Sequence, residues 1–437
     1  MIDETTLKVS RKDLAMTLFA ALLGWMFDGF EMGLFPLVAR PALRELMGAQ
    51  ATANIGTWIA IIIAGFLIGA ALGGILFGWM GDRIGRVRAM VWSVATYATF
   101  SGLCVFVTAP WQLAALRFIA SLGMGGEWSL GVALVMETWP SKYRTMLAGL
   151  IGAIGNFGFL LIALMGLAVT KVITELGTFL ANIGLPQSWV DALLANSGWR
   201  MMLLLGALPA AFTFVIRIFV PESKRWQHAA ATSPKNRIRD IFEGGLGKVA
   251  IMGAVISSVA LLGTWGSVQW IPSWADRLSN QVPTAKSWAQ IWTSSGAIIG
   301  CLLGAYLAQW TSRRLGYFLL SLMSVIACSY LFRAPMVYGN QFFFWVFIVG
   351  GLAASYFGWL PLYLPELFPT RVRATGQGFA FNCGRVLAAA GTLGAGGLLN
   401  YFHEDYARMC AVISLVYAFG LVVIWFCPET KNRPLPE

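Results

Sequence analysis

Apolar runs of roughly 20 residues recur along the chain, separated by short polar breaks. The first six lie at about 14–39, 57–79, 89–109, 111–136, 147–170 and 199–220. Six more lie at about 247–270, 290–310, 316–332, 341–364, 374–399 and 408–427. A helix needs about 20 apolar residues to cross the hydrocarbon core of a bilayer, so the pattern predicts twelve membrane-spanning helices. An even number of spans returns both termini to one side. Two interruptions are longer than the rest. The stretch at about 171–198 is expected to form an outward-facing loop, with a short interfacial helix near Pro186 and Trp189. The polar stretch 221–248 reads as a linker, dividing the chain into a six-span bundle over 1–220 and a second over 249–437.

Composition agrees with this pattern and narrows it. Of 437 residues, 58% are hydrophobic and 12% charged, and the mean hydropathy is +0.69. Soluble domains carry about 25% charged residues, so lipid is the solvent for most of this surface. The net charge of +11 does not point to nucleic acid, because most of the 31 Lys and Arg residues sit at the termini and after even-numbered spans. They are densest at Arg83, Arg86 and Arg88 and from Lys224 to Lys248. By the positive-inside rule both termini are cytoplasmic, in a multi-pass protein of the cell's inner membrane. The first run carries Asp28 and Glu31 and lacks a small-residue cleavage site, so it reads as a span and not a cleaved signal.

Cys104, Cys301, Cys328, Cys383, Cys410 and Cys427 fall in or beside apolar runs without a CxxC pair, and the two histidines, His228 and His403, fall in breaks. No disulfide framework or metal-ligand set follows from that spacing. No catalytic cluster stands out, so neither an enzyme nor a cofactor is expected.

The two sets of six runs repeat one another. Gly69, Gly73, Arg83 and Gly85 match Gly300, Gly304, Arg314 and Gly316 at a constant offset. Glu137, Pro140, Arg144 and Gly149 recur as Glu366, Pro369, Arg373 and Gly378. The run Pro221 to Lys224 (PESK) is echoed by Pro428 to Lys431 (PETK). Two related halves around a polar route suit alternating access, in which one site is exposed to each side in turn.

The run Gly78 to Arg88 (GWMGDRIGRVR), between spans two and three, resembles the loop signature of the major facilitator superfamily. Arg117 to Glu127 resembles its fourth-helix pattern, and the EtwPskyR and ElfPtrvR segments ending at Arg144 and Arg373 resemble the sugar-porter-like branch. Asp28-Gly-Phe-Glu31 and Gly126-Glu127-Trp128 are similar to proton-coupled carriers of aromatic acids, sialate or lactate. The likeness covers nearly the whole chain. It implies an all-α fold of two pseudo-symmetric six-helix bundles. Two departures stand out: Gln269 is alone where sugar porters carry paired glutamines, and Thr311 to Arg314 has no acid matching Asp82.

Charges within the spans are the sharpest functional signal, because a charged side chain at the bilayer centre costs about 2.5–3.5 kcal/mol on insertion scales. Asp28 and Glu31 share a helical face, and with Glu127 they are the candidate proton carriers. Glu127 lies ten residues beyond Arg117, roughly 15 Å along a helix, too far for those two to pair. Arg117 is a candidate partner of Asp28 or Glu31, or a substrate contact. Arg385 and Asn382 share a face of the eleventh span, where a guanidinium offers a fixed fork to a carboxylate. Gln269 and Tyr356 are further candidates for substrate contact. Asp82, Arg83, Arg86, Glu137, Arg144, Glu366 and Arg373 sit at the predicted cytoplasmic helix ends, where acid–arginine pairs can latch one state of a moving protein.

These residues point to proton-coupled symport of a small organic anion by a monomer, with protons and membrane lipid as its other partners. A proton-coupled carrier of a sugar, a polyol or an organic cation remains the alternative. A sensor that transports nothing would need a signalling domain or long tail.

Overall fold

A computed structural model describes residues 11–48, 51–218, 220–224, 226–228, 238–280, 282 and 284–436. Much of the expected linker, including residues 225 and 229–237, lies outside the described residues. Those that are described form helices and turns, with no strand among them. Helices satisfy every backbone polar group within one segment, which the hydrocarbon core demands.

The first six spans are α1 (Arg11–Met47), α2 (Ala51–Ile84), α3 (Arg86–Leu103), α4 (Pro110–Thr138), α5 (Arg144–Asn182) and α6 (Gln187–Ile218). The seventh is broken into α7 (Leu246–Gly266) and α8 (Ile271–Leu278). Next come α9 (Ala285–Trp310), α10 (Arg313–Arg333), α11 (Asn340–Tyr363) and α12 (Arg373–Tyr401). The last span is α13 (Tyr406–Ile413) with α14 (Val416–Val423). Ten of these runs are long and apolar enough to cross a membrane. α6 and α12 match them in length, α12 being made more polar by Arg373, Gln377, Asn382 and Arg385. Together they make up the predicted twelve spans.

Two boundaries differ from expectation. The segment 171–198 is not a loop with its own short helix. α5 continues to Asn182 and α6 begins at Gln187, because no proline interrupts the first helix and Gly184, with φ +91°, makes the turn before Pro186. α1 likewise runs past 39 to Met47 with Pro36 and Pro41 inside it.

The break in the seventh span has a local cause. Ser267 Oγ donates to the Gly263 carbonyl at 2.5 Å, the backbone tightens into a 3-10 turn over Val268–Trp270, and Pro272 falls in the first turn of α8. Proline is tolerated there because a first-turn N–H has no helical partner. Gln269 lies in the 3-10 turn at this break.

α2 packs against α12, and α5 against α9 and α11, joining the first six spans to the last six. The α2–α12 seam is close because it is built on glycine: a Cβ at Gly378 would stand 2.6 Å from the Gly74 carbonyl oxygen.

Candidate functional site

At the end of the bundle near the C-terminus, charged side chains form one buried network. Arg86, which opens α3, donates to Asp82 Oδ1 at 2.6 Å, to Glu137 Oε1 at 3.0 Å and to the Thr370 carbonyl at 3.0 Å. Glu137 Oε1 also accepts from Arg373 Nη1 at 3.0 Å. Asp82 accepts from the Thr375 backbone N–H at 2.7 Å and its hydroxyl at 2.5 Å. A carboxylate therefore sits on the N-terminus of α12, where the helix dipole favours it. Glu137–Arg373 and Asp82–Thr375 both join the first six spans to the last six. Gln377 adds a side-chain bond to the Ser129 carbonyl.

The PESK and PETK runs repeat one arrangement. Glu222 accepts from the backbone N–H groups of Arg86 at 2.9 Å and Val87 at 3.0 Å, and Ser223 Oγ donates to Glu137 Oε2 at 2.8 Å. Glu429 accepts from Arg313 and Arg314, both at 3.1 Å, and Thr430 Oγ1 donates to Glu366 Oε2 at 2.6 Å. Arg313 grips Glu366 with two bonds, 2.8 and 3.1 Å. Burial pushes Glu222 above the ordinary glutamate range, despite the N–H groups it accepts. Burial acts the same way on Glu429, but the backbone N–H groups of Arg314, Lys431 and Arg313 outweigh it and hold this carboxyl below that range.

Within the first six spans lies a second cluster. Glu31 pairs with Arg117 and also accepts from Ser101 Oγ at 3.1 Å. The Arg117 guanidinium sits over the rings of Phe35 and Phe66, 5.3 and 5.2 Å from their centroids. Asp28 and Glu127 are buried, and both interact electrostatically with Tyr97 of α3, as do Glu31 and Arg117. Arg385 is buried on α12, donates to Asn382 Oδ1 at 2.7 Å and lies 5.2 Å from the Phe381 ring centroid. Phe381 stacks on Trp128 of α4 with centroids 3.8 Å apart. Asp28 is the charged neighbour of Arg385.

A cavity of about 610 Å³ occupies the opposite end, between the two sets of spans. Its charged lining residues are Arg40, Arg117, Arg277 and Lys286, with Asp276 and Glu404. Arg277 pairs with Glu404, and Lys286 lies 3.2 Å from Asp276. Gln269 lines this cavity and a smaller polar pouch beside it. Thus the bundle is sealed at the C-terminal end and open at the other.

The Major Facilitator Superfamily model matches residues 14–392. The chain belongs to that superfamily. Accordingly it is a membrane-spanning transporter and not an enzyme. It is 26% identical to the inner membrane metabolite transport protein YgcS of Escherichia coli, over 93% of this chain and 90% of that one. It is also 26% identical to the cis,cis-muconate transport protein of Acinetobacter baylyi, over 87% of each chain. The solved structure of the proton:xylose symporter XylE, bound to 6-bromo-6-deoxy-D-glucose, superposes with a TM-score of 0.75. It covers 98% of each chain at 18% identity.

In this superfamily member some residues singled out from the sequence stand apart from their expected groups. Tyr356 is not on the cavity wall: it is fully buried, donates to Ser321 Oγ at 2.9 Å and stacks with Tyr417. Arg83 is exposed over Trp79, outside the charged network. Arg144, by contrast, is buried at the start of α5 and has an interaction partner. Arg385 and Asn382 are buried and do not line the cavity. The repeat register also changes by one helical turn. Arg86 corresponds to Arg313, not Arg83 to Arg314, since each takes the same glutamate cap and the same carboxylate partner. Gly73 and Gly300 correspond too, each packed on the backbone of the facing span, at Leu122 and Gly351. The unread residues of the transporter are Arg313, Tyr97, Ser101 and Phe381. Ser93, Tyr97 and Ser101, spaced by four on α3, were the available signal.

Proposed function

We propose that this transporter carries a small organic anion, a carboxylate, together with protons by alternating access. The observation that carries the reading is the cavity's charged lining, in which four cations face two acids. A cleft lined by an excess of one sign concentrates ligands of the other. The muconate transport protein among its relatives supports a carboxylate substrate.

In this reading Arg385, oriented by Asn382, receives the carboxylate when the halves part, and Gln269 contacts its neutral portion. Arg117 guides the anion inward from the cavity wall. Glu31, Asp28 and Glu127 hold the coupled proton, since Glu31 shares Arg117 and therefore senses its charge. Asp82, Arg86, Glu137 and Arg373, with Glu366 and Arg313, latch the cytoplasmic end. The halves, 1–220 and 249–437, rock about the site as one monomer, with the linker 221–248 and both termini on the cytoplasmic side of the inner membrane.

The test is uptake by proteoliposomes with a trapped pH reporter, across carboxylates, sugars and organic cations. Internal acidification driven by carboxylates, beyond protein-free controls, supports the reading. Acidification with sugars or cations alone overturns it.

A further inference from the structure

The stretch that follows PETK turns back into the sealed end. Asn432 takes a left-handed conformation, φ +62°, which asparagine tolerates better than most residues. The Arg433 N–H donates to the Thr430 carbonyl at 3.1 Å. Asn432, Arg433 and Pro434 are exposed, but Leu435 beyond them is only 4% exposed. This buried leucine seats the next residue, Pro436, on the turn that leads into α12. There the Pro436 carbonyl accepts from Arg373 Nη2 at 2.6 Å and from the Thr370 backbone N–H at 3.2 Å.

Those two donors belong to the residues by which this turn reaches the first six spans. Arg373 Nη1 donates to Glu137, and the Thr370 carbonyl accepts from Arg86, each at 3.0 Å. One backbone carbonyl therefore stands behind two of the bonds that close this end. Arg373 Nε donates to the Pro365 and Phe368 carbonyls at 3.3 and 3.2 Å. With Pro436 these bonds fix the plane of the guanidinium and aim its remaining nitrogen at Glu137.

We propose that the segment Asn432–Pro436 is a strap that favours the sealed state, its Pro436 carbonyl positioning Arg373 and Thr370 for the first six spans. The inference rests on the reading of this end as one that opens when the halves rock. A contact shifts such an equilibrium only by the difference in its strength between the two states. In the sealed state Arg373 is 0% exposed and Thr370 5%, so removing the carbonyl leaves buried donors unmet, which is costly. When the halves part, water reaches the same donors and replaces the carbonyl. The strap therefore stabilises closure more than opening. Drawing it off loosens the seal without touching the cavity at the opposite end.

Hydrogen–deuterium exchange of the protein in nanodiscs, resolved to single residues by fragmentation, tests this without a transport substrate. The Ala374 and Thr375 N–H groups lie in the first turn of α12, where a helix offers them no partner. Both donate instead to Asp82 of the other half, at 3.3 and 2.7 Å, so their exchange reports separation of the halves. The Arg313 and Arg314 N–H groups, held by Glu429 within the second half at 3.1 Å, serve as the control. Truncation after Lys431 is expected to speed exchange at Ala374 and Thr375 by about 10- to 100-fold, the size of a lost hydrogen bond to a charged group, and to leave the control unchanged. Leu435→Asp, which keeps the chain but unseats it, is expected to do the same. Glu137→Gln speeds the same two amides by breaking the closure itself. Faster exchange in Glu137→Gln with wild-type rates in both strap variants overturns the strap and leaves the latch standing. Wild-type rates in all three variants count against this end as one that opens, and the strap falls with it. Equal acceleration at Arg313 and Arg314 in the strap variants makes the segment a general clamp of the second half and also overturns the proposal.

Discussion

Glu137 of α4 and Arg373 of α12 meet at 3.0 Å with both side chains fully buried. They belong to different sets of six spans, and their separation is required if the sealed end is to open. Breaking a buried pair by removing one charge costs about 3–5 kcal/mol. Glu137→Gln also takes the partner of Arg86, so the sealed state loses most in this variant. Spin labels at the exposed positions 83 and 310 are expected to report a longer mean distance in Glu137→Gln than in the otherwise unchanged protein. Identical distance distributions would show that this pair does not hold the end closed.

Glu222 and Glu429 cap equivalent helices, but their carboxyls are shifted in opposite directions from the ordinary glutamate value. Burial raises Glu222 above its ordinary 4.5. Its ionised form therefore weakens the folded state at neutral pH, and the weakening fades as pH falls through the raised folded value toward 4.5. Glu429 is held below 4.5, so its charge strengthens the fold above 4.5 and that gain is lost as pH falls through its folded value. Thermal unfolding from about pH 4 to about pH 8 checks both. Relative to wild type, Glu222→Gln gains with rising pH and Glu429→Gln loses. Slopes of the same sign would contradict the assignment.

Glu31 is bonded to Arg117 and Ser101 and carries the coupling in this account. Glu31→Gln removes its charge while keeping an acceptor for both. Exchange of labelled for unlabelled substrate at equal concentrations needs no net proton movement and is expected to stay within about threefold of wild type. Accumulation driven by a pH gradient is expected to fall by tenfold or more, in line with loss of a charged interaction of about 1.5–3 kcal/mol. Equal losses in both assays would make Glu31 a structural residue.

Much of this site was legible in the sequence, and the misses have physical causes. Charged side chains in apolar runs are few, so Glu31, Arg117, Glu137 and Arg373 announce themselves by their cost. Register is harder to read. Small residues recur every four positions at Gly296, Gly300 and Gly304, so Gly69 and Gly73 match this stripe equally well in two alignments one turn apart. Only the capping glutamates, distant in sequence, separate them, and Arg313 was missed for that reason. Tyr356 and Tyr97 show a related limit. An aromatic in an apolar helix looks the same from the sequence whether it faces the cavity, the core or an acid cluster, because helix rotation is set by neighbouring spans.

In the proposed mechanism Arg385 is the fork offered to the carboxylate, so its charge is the most direct point at which to test the reading. Proteoliposomes loaded with a pH reporter, given cis,cis-muconate or other carboxylates, test it directly in wild type and Arg385→Gln. Wild type is predicted to acidify the interior above the protein-free rate, and the variant to need about 10- to 100-fold more substrate for the same rate. Acidification by the variant at wild-type substrate concentrations would contradict anion recognition at Arg385.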